Sequence, residues 1–267
     1  MKRVVKLQEP AELSAYRAGN PAGTWDQMRG DATGRDAYEV ARRQLISGQG
    51  GLCGYCEIEL QVGEQLKCRI EHFHPKSDTS SAHNWALDWQ NMMAVCMGGS
   101  QRHHQPPHAL EPLAENLSCD AHKDQMISTG QLDEHCEGWI IDPLALPAFP
   151  SLLFLEKSTG RLLPSADRCA ALSLPSNKHP STQALIQHTI DMLNLNCTRL
   201  CEARKRVVWD IERNKKGFRL QKIGPDEALR TLAERYFRRH WPSFFTTIRL
   251  CLGAAAEQYL ADNKFQG

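Results

Sequence analysis

Apolar residues in the last third of the chain recur at the spacing of amphipathic helices. In segment 182–196, four aliphatic side chains fall on one helical face. These are Leu185, Ile186, Ile190 and Leu193. Segment 198–218 repeats the pattern, and segment 225–241 begins with a proline and acidic residues and ends with basic ones, as the helix dipole favours. The pattern predicts a helical unit over residues 180–267.

The first half of the chain has a different pattern. Residues 36–47 have helical spacing and meet a glycine-rich stop, which predicts a helical lead-in within residues 1–50. Two short β-type runs follow, LCGY at 52–55 and CRIEHF at 68–73, and a bent hairpin between them is expected. The apolar segment 85–95 fits a short helix or a strand equally well.

The connecting region, residues 131–179, is rich in proline, which excludes long helices there. Its segment 151–165, SLLFLEKSTGRLLPS, is typical of a hairpin that turns at Ser-Thr-Gly. Together with residues 51–130 this gives four predicted regions and a mixed α+β fold.

Composition narrows the class of protein. The chain has 267 residues, 41% hydrophobic and 24% charged, and a net charge of +1, all ordinary for a globular protein. Whole-chain charge therefore does not indicate nucleic-acid binding, which would need local basic clusters. The opening apolar run is too short for a secretory signal, and no stretch reaches the roughly 18 apolar residues of a membrane span. We expect a cytoplasmic protein without a membrane partner.

Cysteine spacing indicates a metal site. Cys53 and Cys56 form CGYC, a spacing that lets one turn direct two thiolates at a zinc ion. A redox pair or two unliganded thiols are the alternatives, and no thioredoxin-like context supports the first. Cys96 and Cys119 are the expected remaining ligands. Three histidines in the intervening loop are rivals for the fourth place: His103, His104 and His108.

Residues 67–77, KCRIEHFHPKS, hold a second group of candidate side chains. Glu71 and His72 point to opposite faces of a regular strand, but a bend before Pro75 could turn both into one pocket. Phosphodiester hydrolysis needs a general base, worth about 10²–10⁴-fold, and a divalent cation. His72, with a pKa expected near neutrality, fits the base. An exposed histidine cluster on a loop is the alternative.

Four motifs in order, CGYCE, IEHFHPKS, WQNMMAVC and CDAHK, resemble the HNH endonucleases. The lead-in RQLISGQGGLCGYCE and the later TIDMLNLNCTRLCEARKRV are also similar to small HNH proteins encoded beside an ATPase in Septu-type and retron-linked anti-phage modules. The resemblance covers most of the chain. It implies a ββα-metal core containing structural zinc over residues 51–130.

The resemblance also implies roles for single residues. His72 would be the general base, and Glu71 and Asp120 would hold a catalytic Mg²⁺ or Mn²⁺, although the family commonly has Asn or His where Asp120 stands. Asn91 would be the family's middle Asn, which fixes the loop that directs His72, with Asn84 as the alternative. A further set would face phosphate: Lys123 and Lys76, with His74 either contacting phosphate or exposed.

Basic residues cluster in the predicted helical unit, among them Arg204, Lys205 and Arg206. Such a run is a solvated helix face or a track for a phosphate backbone, and the sequence leaves both open.

The resemblance therefore implies a metal-dependent HNH endonuclease, with DNA as the favoured substrate and RNA, including tRNA, as the alternative. A non-catalytic zinc module that only binds nucleic acid or protein is the rival from another class. The expected partners are a controlling ATPase and, in a retron setting, a reverse transcriptase with its msDNA.

Overall fold

The computed structural model describes residues 1–62, 65–100 and 114–267. Within these residues the protein combines helices with small two-stranded antiparallel sheets, so the α+β prediction is confirmed. None of the described helices is both long enough and apolar enough to cross a membrane.

The helices occupy both ends of the chain. They are α1 (Ala11–Gly19), α2 (Trp25–Gly30), α3 (Ala32–Gly48), α4 (Cys119–Ser128), α5 (Ala166–Ala170), α6 (Thr182–Met192), α7 (Thr198–Leu220), α8 (Pro225–Phe237), α9 (Phe245–Leu252) and α10 (Ala254–Asp262). The strands are β1 (Gln61–Val62), β2 (Gln65–Leu66), β3 (Cys68–His72), β4 (Met92–Cys96), β5 (Leu153–Glu156) and β6 (Arg161–Pro164). The predicted lead-in helix and the predicted helices after residue 180 are confirmed by α3, α6, α7 and α8.

Strands β3 and β4 form the hairpin that carries the candidate chemistry. They pair antiparallel, with Cys68 opposite Cys96 and His72 opposite Met92. All five residues of β4 are buried, and α4 packs against it. The ambiguous segment 85–95 resolves into a 3₁₀ turn, Trp89–Asn91, followed by this strand.

The predicted partner of β3 was wrong. Run 52–55 makes no strand, and only Leu52 forms an isolated bridge, to Glu59. The chain turns instead, because the Cys53 amide donates to the Ile58 carbonyl (2.9 Å) and the Glu57 amide to the Cys53 carbonyl (3.1 Å). This turn directs both cysteines of CGYC toward the end of β4.

The connecting region, residues 131–179, contains no long helix, as its prolines predict. Strands β5 and β6 form the expected hairpin, with Leu155 opposite Leu162. A continuous apolar core joins the lead-in helices, the β3–β4 hairpin and the C-terminal helices. The buried Glu57 links them further, since its carboxylate accepts hydrogen bonds from the Thr246 amide (2.8 Å) and the Met1 ammonium group (3.2 Å).

Candidate functional site

Four buried cysteine sulfurs meet beside the end of β4. The Sγ atoms of Cys56 and Cys96 are 3.7 Å apart, those of Cys53 and Cys119 are 4.0 Å apart, and all four lie within 4.8 Å of one another. A tetrahedral zinc ion with Zn–S bonds of about 2.3 Å places its sulfur ligands about 3.8 Å from each other. The cysteine set and its spacing therefore fit zinc.

Three separate elements deliver these ligands. The turn after α3 supplies Cys53 and Cys56, β4 ends in Cys96, and Cys119 opens α4 with a φ of 57°. The Cys119 amide donates to the Leu193 carbonyl (2.8 Å), which fixes this unusual backbone position. The predicted ligands are thus brought together. The rival histidines, His103, His104 and His108, lie outside the described residues.

Burial and contacts within the cluster shift the pKa values of the cysteine thiols in different directions. Burial opposes ionisation of Cys53, but hydrogen bonds from the other thiols hold the pKa of Cys53 well below its ordinary value. Burial raises the pKa values of Cys56 and Cys119. The Arg199 guanidinium lies close enough to these sulfurs for their charge to raise its pKa against the effect of burial, and its Nη2 donates to the Ser118 hydroxyl (2.6 Å). The charge of the cysteine sulfurs therefore favours a cation beside them.

A cleft of about 560 Å³ is lined by β3, by the loop that follows it and by α4. Its polar lining includes most of the residues that the sequence singled out for catalysis. They are Glu71, His72, Lys76, Asp120 and Lys123, and the lining also includes Arg69 and Asp124, which the sequence had not indicated. Glu71 and His72 both line this cleft although they are neighbours on a strand, as the predicted bend before Pro75 allows.

His72 is held in one tautomer. Its Nε2 lies 3.1 Å from the Ala86 carbonyl oxygen, which only accepts, so Nε2 carries the proton and Nδ1 is the acceptor. Trp25 packs edge-on against the ring, with 4.5 Å between ring centroids. Burial lowers the pKa of His72 to about 4, below the near-neutral value expected from the sequence. The imidazole is therefore neutral across the physiological range.

Glu71 and Lys123 form a buried ion pair at the base of the cleft. Lys123 Nζ is 2.5 Å from Glu71 Oε1, and the Tyr55 hydroxyl donates to the same oxygen at 3.2 Å. Burial by itself would lower the pKa of Lys123, but the Glu71 charge outweighs it and the pKa is raised. Only 4% of Lys123 is exposed and its ammonium group is engaged by Glu71, so the expected contact with phosphate stays a prediction.

Asp120 is the second carboxylate of the cleft. Burial, reinforced by the neighbouring charge of Glu71, raises the pKa of Asp120 to about 8. Arg69 Nη1 lies 3.3 Å from Asp120 Oδ2 and supplies partial compensation. Two adjacent carboxylates that resist simultaneous ionisation form an oxygen donor set suited to a hard divalent cation.

Asn91 connects the two ends of the loop that follows His72. Its Oδ1 accepts from the His74 amide (2.7 Å), and its Nδ2 donates to the carbonyls of His74 and Trp85 (both 3.0 Å). The alternative, Asn84, instead donates to carbonyls of Pro21 and Gly23 near the N-terminal helices. Asn91 therefore holds His74, two residues after His72, whereas Asn84 Oδ1 accepts from the amide of Ala86 (3.1 Å), the residue whose carbonyl contacts the His72 ring.

The predicted basic track needs a correction. Arg204 is 1% exposed and donates to the Gly160 carbonyl (3.2 Å), so it packs inside the protein and cannot contact a nucleic acid at the surface. Lys205 is paired with Glu202 at 2.6 Å, whereas Arg206 is exposed. Lys76 is also exposed, at the rim of the cleft.

Sequence reasoning missed three side chains that support the site. Tyr55 and Arg69 contact the two carboxylates, and Trp25 packs on the imidazole. Arg69 had a usable signal, because it stands two residues before Glu71 on β3 and so shares its face. Trp25 had none, since it belongs to a distant helix.

No protein-family model matches the chain. A protein of Escherichia coli, named for retron Ec83 and as an HNH endonuclease, is 35% identical to it over 211 residues. The match covers 78% of this chain and 80% of that relative.

Proposed function

The chain belongs to the HNH endonucleases, and on that premise we propose that its cleft hydrolyses phosphodiester bonds of nucleic acid with the help of a divalent cation. One observation carries the proposal: His72, in a tautomer that leaves Nδ1 as acceptor, and the carboxylates of Glu71 and Asp120 line one cleft. The β3–β4 hairpin with α4 would then be the ββα-metal core.

His72 acts as the general base. Its Nδ1 takes a proton from the attacking water while Nε2–H stays bonded to the Ala86 carbonyl, so the ring keeps its orientation as it becomes charged. A low pKa makes it a weak base, and the developing charge is stabilised as the Ala86 bond strengthens. Asn91 positions the loop that follows His72. Lys76, at the rim of the cleft, contacts the phosphate backbone.

Glu71 and Asp120 would hold Mg²⁺ or Mn²⁺, which supplies charge stabilisation to the phosphate and its leaving oxygen. Their all-oxygen donor set supports this choice of metals. Lys123 would share Glu71 with the cation, so cation binding would weaken the ion pair between Glu71 and Lys123. The four cysteines would hold structural zinc, whose binding free energy contributes to folding.

Double-stranded DNA is the proposed substrate, with RNA as the alternative. The name of the relative ties that protein to a retron, which supports an anti-phage role for this chain in the cytoplasm. We propose that a partner ATPase controls the nuclease there, alongside a reverse transcriptase and its msDNA. Arg206 and Lys205 remain candidates for contact with nucleic acid.

The test is cleavage of plasmid DNA and of bulk tRNA by the purified protein with Mg²⁺ or Mn²⁺, with and without the partner ATPase. Wild type, His72→Ala and His83→Ala are compared. His83 is a matched control because it is an exposed histidine on the same loop that lies outside the cleft and pairs with Asp88 at 3.0 Å. We expect cleavage of one substrate, lost in His72→Ala and retained in His83→Ala.

Two outcomes would contradict the proposal. Equal cleavage by His72→Ala would remove the imidazole from the chemistry, and cleavage that persists without any divalent cation would remove the role of Glu71 and Asp120. Cleavage of tRNA alone would reverse the choice of substrate.

A further inference from the structure

A second cluster of possible ligand side chains lies outside the base of the cleft and combines two residues of the loop after β3 with one from the segment after α4. His74, Asp78 and His135 each offer a ligand atom, and these atoms lie within 4.8 Å of one another. His74 and Asp78 are largely buried, and His135 is exposed. The cluster shares no residue with the four cysteines or with the pair Glu71 and Asp120.

The ring of His74 is held as a metal-binding histidine is held. Its Nε2 faces Asp78 Oδ2 at 2.8 Å, and its Nδ1 faces Glu137 Oε1 at 2.5 Å. A histidine that ligates a metal commonly donates its other ring N–H to a carboxylate, which fixes the tautomer and the ring orientation. Glu137 occupies the place of that carboxylate, Asp78 faces the other ring nitrogen, and the His135 ring lies beside the His74 ring with 5.1 Å between centroids.

Neighbouring contacts preorganise the ligands. Trp85 packs on the His74 ring with 3.9 Å between centroids, and Asn91 binds the backbone of His74. The Ser80 amide donates to Asp78 Oδ1 at 2.8 Å and the Ser80 hydroxyl to Oδ2 at 3.1 Å, which holds the carboxylate with Oδ2 directed at His74. The exposed His135 gives an ion a path of entry from solvent.

We propose that His74, Asp78 and His135 bind a divalent transition-metal ion of the zinc class, with Glu137 orienting His74. Two imidazoles and one carboxylate suit such borderline ions, whereas Mg²⁺ and Ca²⁺ favour all-oxygen sets. The ion replaces the proton between His74 Nε2 and Asp78, and that proton passes to solvent. Three protein ligands leave a fourth position for water.

The ion joins two segments that form one wall of the cleft. Pro75, Lys76 and Ser77 lie between the first two ligands, and Glu134 is adjacent to His135 in sequence. Ser77 and Glu134 already approach each other, with 3.4 Å between Oγ and Oε1. Metal binding therefore fixes the spacing of this wall, whether or not the cleft performs the proposed hydrolysis.

Zinc content tests the site without reference to activity. The full chain is dialysed against a mild chelator, given excess Zn²⁺, desalted and analysed by inductively coupled plasma mass spectrometry. Wild type should hold one more equivalent of zinc than His135→Ala, and Asp78→Asn should show the same loss. His83→Ala is the matched control, because His83 pairs with a carboxylate but lies outside the cluster.

Glu137→Gln separates orientation from ligation, and we expect it to weaken zinc binding at this site about 10–100-fold without abolishing it. Equal zinc content in wild type, His135→Ala and Asp78→Asn would overturn the proposal, as would loss of the same equivalent in His83→Ala. Cysteine-bound zinc is common to all these variants and cancels from the comparison. If one ligand variant fails to fold by circular dichroism, the other decides.

Discussion

Replacing Lys123 with Met tests how much the ion pair between Glu71 and Lys123 contributes to the stability of the fold. The change keeps a straight apolar side chain but removes the ammonium group, leaving Glu71 as a buried carboxylate without its cationic partner, although it still accepts from the Tyr55 hydroxyl. The side chains of Glu71 and Lys123 are 7% and 5% exposed, so the pair is a buried one. Removing one partner of such a pair costs about 3–5 kcal/mol, because the other charge stays uncompensated.

The assay is urea unfolding in zinc-replete buffer, with and without added Mn²⁺. Without Mn²⁺, Lys123→Met should lose about 3–5 kcal/mol of unfolding free energy relative to wild type. A cation at a concentration of 100 times its dissociation constant restores about 2.7 kcal/mol. Because Lys123 no longer competes for Glu71, Mn²⁺ should stabilise the variant more than it stabilises wild type.

Lys76→Met is the control, since this lysine is exposed at the rim of the same cleft and a surface change of this kind costs within about 0.5 kcal/mol. Equal unfolding free energies of wild type and Lys123→Met without Mn²⁺ would refute the reasoning about the buried pair. Equal stabilisation of the two proteins by Mn²⁺ would refute competition between Lys123 and the cation.

Three further predictions concern other parts of the site. The pKa of His72 is lowered from 6.5 to about 4, so the folded state binds the proton less readily than the unfolded chain. The contribution of neutral His72 to stability is therefore present above pH 6.5 and is lost as the pH falls through 4. The unfolding free energy of wild type relative to His72→Gln should therefore fall by about 3 kcal/mol between pH 7 and pH 4, and parallel pH curves would contradict the shift. Asn91→Ala should cost about 2–4 kcal/mol in urea unfolding and speed amide exchange at His74, and unchanged exchange there would show that Asn91 does not hold the loop. Cys96→Ala should lose zinc by metal analysis and melt at lower temperature, whereas Cys68→Ala, at the paired buried position on β3, should keep its zinc.

The sequence was most informative where chemistry and local spacing coincide. Cys53 and Cys56 were predictable as a pair because two intervening residues suit one turn around one ion. Helices after residue 180 were predictable because their apolar period is long and regular. In both cases the information needed lies within a few consecutive residues.

The predictions from the sequence were wrong where a contact depends on a segment that is distant along the chain. The strand CRIEH was predicted to pair with LCGY, but its partner is the buried run MMAVC. Local pattern alone cannot choose between two nearby apolar runs. Arg204 was grouped with its basic neighbours although it occupies the inner face of α7. Likewise, His74 and Glu137 are 63 positions apart, so no motif could have indicated their contact.

The C-terminal helices contact the cysteine cluster that we propose binds zinc, and this connects the two halves of the protein. Arg199 of α7 places positive charge near the cysteine sulfurs and binds Ser118, the residue before Cys119. The Leu193 carbonyl fixes the Cys119 amide, and Glu57, the residue after Cys56, is bonded to Thr246 of α9. Two of these hydrogen bonds are made at residues that adjoin a cysteine of the cluster and the third at Cys119 itself, so the helices help to determine where the sulfurs lie. Because Asp120 directly follows Cys119, any displacement of the helices that moved this cysteine would also move a carboxylate of the cleft.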